Sequence, residues 1–170
     1  MHGCKRLIPF LMALLLYTPS CAGKKAVSIP VVPKPDRQLV LLAEQGDAEA
    51  RYSLGRMYAQ GEPVPQDFAK SAAWFRLAAE QGHAAAQCSL GKLYMRGRGV
   101  PQDYEEAHKW FRMAAEQGIT DAQTSIGAMY ADGKGVARDY EMAAEWFRKA
   151  AESGNADAQY NLGVLYIQGK

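Results

Sequence analysis

The chain has 170 residues, of which 48% are hydrophobic and 22% charged, and this composition suits one packed domain plus an export signal. Lys5 and Arg6 account for the formal net charge of +2, and the rest of the chain balances 18 basic side chains against 18 acidic ones. A neutral chain without a basic stripe gives no electrostatic reason to expect nucleic acid, so no nucleic-acid partner is predicted.

The first 22 residues have the pattern of a signal peptide. Lys5 and Arg6 precede an apolar stretch, residues 7–17, that is too short to cross a bilayer as a helix. Two processing routes are open: cleavage before Gly23, or lipidation of Cys21 as the first residue of a lipoprotein. We favour cleavage and predict an exported protein, periplasmic or extracellular, with an outer-membrane lipoprotein as the alternative. Contact with a membrane is then expected only through lipidation at Cys21.

A spacer and a set of repeats follow. Residues 23–35 are rich in proline and lysine and are predicted to form an extended, solvated spacer. Residues 36–170 repeat with a period of 36, which is clearest in three columns of glycine. These columns are Gly46, Gly82, Gly118 and Gly154; Gly55, Gly91, Gly127 and Gly163; and Gly61, Gly97, Gly133 and Gly169. The period gives three full repeats between two partial ones: 36–46, 47–82, 83–118, 119–154 and 155–170.

Each repeat begins with a predicted α-helix, residues 48–60 in the first full copy. Ala50, Leu54 and Tyr58 recur at intervals of four and form one apolar stripe along this first helix. Gly61 is predicted to end the helix in the left-handed conformation, which glycine adopts at low cost.

A second helix, residues 68–81, is predicted after a short loop, with Asp67 as its N-cap and Gly82 at its end. In the next repeat, Asp103 and Glu106 have the spacing of a capping box, in which the glutamate side chain also bonds back to the N-cap. Each repeat is therefore a pair of helices, and stacked pairs build a solenoid.

A glycine stands in the middle of each first helix, where it costs about 1 kcal/mol relative to alanine. We interpret Gly55 as a point of close helix approach, with the ring of Trp74 lying where a side chain would otherwise be. The three tryptophans of the chain, Trp74, Trp110 and Trp146, are 36 residues apart and occupy one position of the second helix. Trp110→Ala in the central repeat is accordingly predicted to cost about 3–5 kcal/mol of stability.

The repeat resembles a known family. Its pattern A-x-x-x-L-G-x-x-Y-x-x-G-x-G-V-x-x-D-x-x-x-A-x-x-W-x-x-x-A-A-x-x-G is similar to the Sel1-like repeat, a relative of the tetratricopeptide repeat. Residues 86–118 match every named position, whereas residues 50–82 have Pro63 in place of the loop glycine, so that loop is expected to differ in shape. The resemblance implies an all-α fold, a right-handed α-solenoid of helix–turn–helix repeats, used as an adaptor in protein complexes.

The resemblance also implies that the protein binds a partner protein or peptide in a groove lined from the first helices. The candidate groove residues, whose columns vary between copies, are Tyr52, Arg56, Cys88, Lys92, Met95, Thr124, Tyr160 and Ile167. Arg56 and Lys92 hold equivalent positions on neighbouring helices and are predicted to receive together an acidic side chain or a C-terminal carboxylate.

Catalysis is not predicted, and neither a metal nor a cofactor is expected. His83 and His108 are the histidines beyond the signal peptide, and both are interpreted as structural or solvated. Ser89 and Lys92 have the S-x-x-K spacing of penicillin-recognising enzymes, but S-D-N and K-T-G are absent and the repeat period explains the spacing. A cell-wall or β-lactam-associated hydrolase, as suggested for some cysteine-rich relatives, is the alternative function.

Cys88 is the one cysteine expected in the folded repeats, so no disulfide within the mature chain is predicted. A free thiol on a helix face is favoured over a disulfide between two molecules.

The last predicted helix, within residues 155–170, carries an apolar run from Leu162 to Ile167. End repeats of solenoids usually turn a polar face outward. We therefore expect a partner or a second copy of the chain to cover this helix, unless the sequence is a truncated remnant of a longer repeat protein.

Overall fold

The computed structural model of the chain describes residues 34–170. The predicted signal peptide, residues 1–22, and residues 23–33 of the predicted spacer lie outside the described residues.

Eight α-helices make up the described part of the chain, and no strand occurs between residues 34 and 170. They are α1 (Arg37–Glu44), α2 (Ala48–Gln60), α3 (Phe68–Ala79), α4 (Ala84–Arg96), α5 (Tyr104–Glu116), α6 (Thr120–Asp132), α7 (Tyr140–Glu152) and α8 (Ala156–Ile167). Within this range, no helix combines the length and the apolar character that crossing a lipid bilayer requires.

Each helix packs against its neighbours in sequence, from α1 against α2 to α7 against α8. Among helices further apart in sequence, α6 also touches α8. Packing between nearest neighbours is what defines a solenoid. The predicted all-α repeat solenoid is therefore confirmed, with α2, α4, α6 and α8 as the first helices of successive repeats and α3, α5 and α7 as the second helices.

The ends of the first helices are as predicted. α2 has the expected bounds, and Gly61 caps it with a φ of 79°. Gly97 and Gly133 cap α4 and α6 in the same left-handed conformation. The second helices end slightly earlier than predicted: α3 stops at Ala79, and Gly82 takes the left-handed turn after it. There the N–H of Gly82 bonds back to the carbonyl oxygen of Ala79, which closes the helix end.

The second helices begin with aspartate N-caps. The carboxylates of Asp67 and Asp103 each accept a hydrogen bond at 3.0 Å from the backbone N–H three residues ahead. The capping box predicted for Glu106 is wrong, because its carboxylate pairs with Lys109 instead. The backbone N–H of Asp103, which a box would use, donates to the carbonyl oxygen of Tyr94 at 3.1 Å. The preceding first helix thus satisfies the donor that the glutamate side chain was expected to bind.

Phenylalanine, and not tryptophan, fills the space beside the mid-helix glycines, so the predicted placement of the Trp74 ring is wrong. In the central repeat, a Cβ added at Gly91 would lie 2.9 Å from the nearest ring carbon of Phe111. Phe111 is completely buried, whereas Trp110 is half-buried. Adjacent residues on a helix point about 100° apart, so only one of two neighbouring aromatic columns can face the glycine. The other two full repeats have the same arrangement.

The loop of the first full repeat differs from the later two, as expected from Pro63. The Glu62–Pro63 peptide bond is cis. The equivalent residues Gly99 and Gly135 have a φ of 71° and lie directly against the backbone at the start of the preceding second helix. A side chain at these positions would collide with that backbone, and the positive φ also favours glycine. The loops therefore pack each repeat closely against the one before it.

Candidate binding groove

Three pockets lie in a row beside the first helices, and they are built largely from the same positions of the repeat. Their volumes are about 340, 400 and 400 Å³. The eleven residues that line the third pocket each lie 72 positions, or two repeats, after a residue that lines the first. The second pocket uses the repeat between them and shares Ala128, Asp132 and Asn161 with the third. We call the row the groove and its parts the N-terminal, middle and C-terminal pockets.

Each pocket contains the aromatic residue that follows the N-cap of a second helix. The N-terminal pocket includes Tyr52, Arg56, Phe68, Lys92, Arg96 and Arg98. The middle pocket includes Met95, Tyr104, Thr124, Asp132, Asp157 and Tyr160. The C-terminal pocket includes Ala128, Arg138, Tyr140, Val164, Gln168 and Lys170. Phe68, Tyr104 and Tyr140 therefore form a regular aromatic series along the groove.

The charge of the pockets changes from one repeat to the next. Four cationic residues and no carboxylate line the N-terminal pocket: Arg56, Lys92, Arg96 and Arg98. The middle pocket has Asp132 and Asp157 with Lys134 as its one cation. The aromatic residue therefore recurs in each pocket, whereas the charge of the lining residues differs from pocket to pocket.

Six of the eight groove residues predicted from the sequence line these pockets. Tyr52, Arg56 and Lys92 line the N-terminal pocket, and Met95, Thr124 and Tyr160 line the middle pocket. The structure therefore brings these side chains to two adjacent parts of one groove. Their part in binding stays a prediction.

Ile167 does not line the groove. It lies at the end of α8 and is 88% exposed. Tyr160 and Tyr166 of the same helix are also largely exposed. The expectation that a partner or a second copy covers this helix stays a prediction.

Cys88 is wrongly predicted as a groove residue. Only 5% of the residue is exposed, and it packs in a cluster with Phe111 and Ile126. Burial raises the pKa of the Cys88 thiol, against a smaller lowering effect of Lys92. The thiol is free, as favoured, but it lies in the core, where a disulfide with another molecule has no access.

Two cationic residues of the N-terminal pocket were missed by the sequence-based prediction. Arg96 is the last residue of α4, and Arg98 lies in the loop that follows. Gln60, Arg96 and Asp132 occupy one column, so this position varies between copies just as the predicted columns do. Arg98 was missed because only helical positions were predicted, whereas the pocket extends over the loop.

Lys92 is already paired within the protein. Its Nζ donates a hydrogen bond to Oδ2 of Asp121 at 2.8 Å. Burial acts to lower the pKa of Lys92, but the hydrogen bond to Asp121 and the charge of that carboxylate raise the pKa above its ordinary value. Arg56, by contrast, is exposed, with its guanidinium 5.9 Å from the centre of the Tyr52 ring. Arg56 and Lys92, which were predicted to act as a pair, therefore line the same pocket. Arg56 is available to bind an anion, whereas Lys92 already binds Asp121.

The S-x-x-K spacing does not create a nucleophile in this conformation. Oγ of Ser89 donates its hydrogen bond to the carbonyl oxygen of Ala85 at 2.8 Å, and Lys92 is held by Asp121. In residues 34–170, no group of three or more His, Cys, Asp or Glu side chains is arranged to hold a metal ion. Ser89 and Lys92 are thus each bound to a different partner within the protein.

Both histidines have structural roles. Nδ1 of His83 caps α4 by accepting a hydrogen bond at 3.2 Å from the backbone N–H three residues ahead. Nε2 of His83 lies 3.0 Å from a carboxylate oxygen of Glu49, and the ring stacks on Tyr52. His108 packs with its edge against Tyr130, and burial lowers its pKa.

The sequence profile of the Sel1 repeat matches four stretches of the chain, residues 48–83, 84–119, 120–155 and 156–170. Each stretch begins at the first residue of a first helix. No curated protein matches the chain.

Solved structures share the fold. A protective antigen present in uropathogenic Escherichia coli strains, described as displaying an SLR fold, is 48% identical over 77% of this chain, with a TM-score of 0.76. This chain spans 28% of the length of that antigen. A Sel1 repeat protein from Oxalobacter formigenes is 39% identical over 74% of this chain and 95% of its own, with a TM-score of 0.67. Cysteine rich protein B of Helicobacter pylori covers 76% of this chain and 98% of its own at 23% identity and a TM-score of 0.59, a likeness of fold alone.

Proposed function

The chain belongs to the Sel1 repeat family, and from this we propose that it is an exported scaffold that binds an extended segment of a partner protein in the groove. Sel1 repeat proteins are generally protein-interaction scaffolds. The observation that carries the proposal is the recurrence of one pocket in three successive repeats.

Three pockets in a row suit an extended polypeptide. A solenoid presents a continuous surface to such a segment, whose side chains can enter successive pockets. Phe68, Tyr104 and Tyr140 give each pocket an aromatic wall against which an apolar side chain can pack. The polar residues around these walls differ between pockets and would supply the specificity.

Export is proposed from the pattern of residues 1–22. In that setting, the partner is a periplasmic or extracellular protein, and lipidation of Cys21 would tether the scaffold to the outer membrane. Mass spectrometry of the mature N-terminus tests this proposal. A start at Gly23 supports the cleaved form and a lipidated Cys21 the anchored form, whereas an intact Met1 contradicts export.

Blocking the groove tests the binding proposal. Ala128 is half-buried and lines both the middle and the C-terminal pockets, so Ala128→Trp fills the groove with an indole ring. Ala73→Trp places the same ring on an exposed position of α3 and serves as the control. Peptides selected from a random library on the mature protein should lose about tenfold or more of their affinity with Ala128→Trp and little with Ala73→Trp.

Isothermal titration calorimetry measures these affinities, with circular dichroism to verify that both variants fold. Failure to select any peptide, or equal binding by the two tryptophan variants, would count against a peptide-binding groove.

A further inference from the structure

We propose that the N-terminal pocket binds an acidic stretch of the partner segment, and that this contact fixes which end of the segment lies beside α2. The inference rests on the proposed function, because it specifies what the groove binds and in which direction.

The N-terminal pocket holds more positive charge than nearby carboxylates neutralise. Arg56, Arg96 and Arg98 have no carboxylate oxygen within 4.0 Å among residues 34–170. Elsewhere on the surface, cations such as Lys109 and Arg112 pair with glutamates of their own helix. Like charges gathered in a concavity attract an anion from outside.

Aromatic rings position two of these guanidinium groups. The guanidinium of Arg98 lies 5.3 Å from the centre of the Phe68 ring, and that of Arg56 lies 5.9 Å from the centre of the Tyr52 ring. A guanidinium on a ring face keeps its N–H donors at the edge, where a carboxylate can accept two parallel hydrogen bonds. Less side-chain freedom is then lost when the carboxylate binds.

The middle pocket disfavours a uniform polyanion. Asp132 and Asp157 line it, and Lys134 pairs with Asp132 at 2.8 Å, so the net charge of the three is negative. A nucleic-acid strand that continued from the N-terminal pocket would bring phosphates against these carboxylates and be repelled. A polypeptide with acidic residues at one end, followed by neutral or basic residues, fits both pockets.

Fluorescence anisotropy with labelled synthetic peptides tests the inference on the mature protein. The probe carries a block of glutamates followed by uncharged residues, and a matched probe carries glutamines in place of the glutamates. The pocket variant is Arg56→Gln/Arg96→Gln/Arg98→Gln. The control variant, Lys109→Gln/Arg112→Gln/Lys149→Gln, removes the same charge from exposed positions on α5 and α7.

The glutamate peptide should bind the wild-type protein and the control variant alike, and the pocket variant about tenfold or more weakly. The difference should shrink as the salt concentration rises. The glutamine peptide should show no such difference. All six residues changed in the two variants are exposed, so both variants are expected to keep the fold.

Three results would overturn the inference. One is an equal loss with the pocket and control variants, which would indicate general attraction between opposite charges. Another is a thymidine oligonucleotide that binds as tightly as the glutamate peptide. The third is a glutamate peptide that is unaffected by loss of the three arginines. If Ala128→Trp still weakens that peptide, the groove binds segments without acidic recognition; if it does not, the proposed function fails as well.

Discussion

The contact between a mid-helix glycine and a buried phenylalanine joins the two helices of each full repeat. In the last full repeat, a Cβ on Gly127 would lie 2.7 Å from the Phe147 ring. Gly163 occupies the same column in α8, and a Cβ there would meet no atom within 4 Å other than the neighbouring backbone of its own helix. One column of the repeat therefore contains both a glycine that packing requires and one that it does not.

Gly127→Ala and Gly163→Ala should consequently change stability in opposite directions. At Gly127 the methyl group forces the Phe147 ring to move, and overpacking outweighs the gain in helix propensity, for a net loss of about 1–2 kcal/mol. At Gly163 the same substitution should stabilise by about 0.5–1 kcal/mol, since alanine loses less backbone entropy. Urea denaturation of both variants measures the two changes. A stabilising effect at both positions would show that the phenylalanine contact does not explain the column.

The aromatic columns also differ in their expected contribution to stability. Phe111 is completely buried, so Phe111→Ala should cost about 3–5 kcal/mol, and Phe111→Leu should cost less. Trp110 is half-buried, and its indole N–H has no partner in the described structure, so Trp110→Ala should cost less than Phe111→Ala. Denaturation curves that rank the tryptophan above the phenylalanine would restore the original placement.

Sequence alone could locate both aromatic columns but not decide between them. Trp110 and Phe111 are adjacent, both recur in every full repeat, and the glycine pattern shows that something large lies beside Gly91. Which ring does so depends on the rotation of the second helix about its axis, and a shift of one residue in the facing position exchanges the two. Packing between repeats sets that rotation, and neither the composition nor the period of the sequence determines it.

At the scale of the helix, the caps were the most predictable feature. Gly61 and Asp67 carry out the roles that their chemistry indicates. The capping box failed because Tyr94, in the preceding first helix, supplies a tertiary partner for the N–H of Asp103. Local patterns therefore predicted local contacts, and the error arose where another helix competes for the same donor.

Asp103→Ala and Glu106→Ala test this account of the helix start. Loss of the N-cap acceptor should destabilise the protein by about 1 kcal/mol. Glu106 contributes an exposed pair with Lys109, so its removal should cost about 0.5 kcal/mol or less. Thermal denaturation can compare the two, and equal costs would indicate that the reciprocal half of the capping box does form.

The cap on α3 also predicts a dependence on pH. The backbone N–H of Lys70, followed by its side chain, donates to the carboxylate and holds the pKa of Asp67 below its ordinary value. The pKa is therefore lower in the folded than in the unfolded state, so the stabilisation is present above the ordinary aspartate pKa of about 3.9 and is lost as the pH falls through the lower, folded-state value. Asp67→Asn keeps an acceptor without this titration. An NMR titration of Asp67 with a midpoint at or above 3.9 would disagree.

At the scale of the whole described chain, stability should vary along the solenoid. α8 packs mainly on α7, with a small contact to α6, and leaves Tyr166 and Ile167 exposed. Helices of the central repeat are packed on both sides. Native-state hydrogen exchange should therefore find the amides of α8 less protected than those of α4 and α5. Uniform protection would mean that this helix is covered in solution, as self-association would do.

The solenoid could be predicted from the sequence because the 36-residue period determines it. The groove could be predicted only in part. The columns that hold Arg56 and Met95 could be found because they vary between copies, unlike the glycine and tyrosine columns beside them. Cys88 belongs to an equally variable column but points into the core. Tyr52 and Thr124 of the same column are half-buried and Tyr160 is exposed, so variation between copies does not by itself distinguish surface from core.

The fixed spacing of the lining positions bears on how such a protein can change by recombination. Because corresponding wall positions of the N-terminal and C-terminal pockets are 72 residues apart, a duplication of one 36-residue unit keeps every pocket intact and adds one more. The length of the recognised segment is then a property that a gene alters in whole units. A point mutation changes the pocket that its residue lines, or two neighbouring pockets at shared positions such as Ala128 and Asp132, and leaves the more distant pockets as they were. Under the proposed function, the length of the bound segment and the chemistry of each pocket would therefore change by different kinds of mutation.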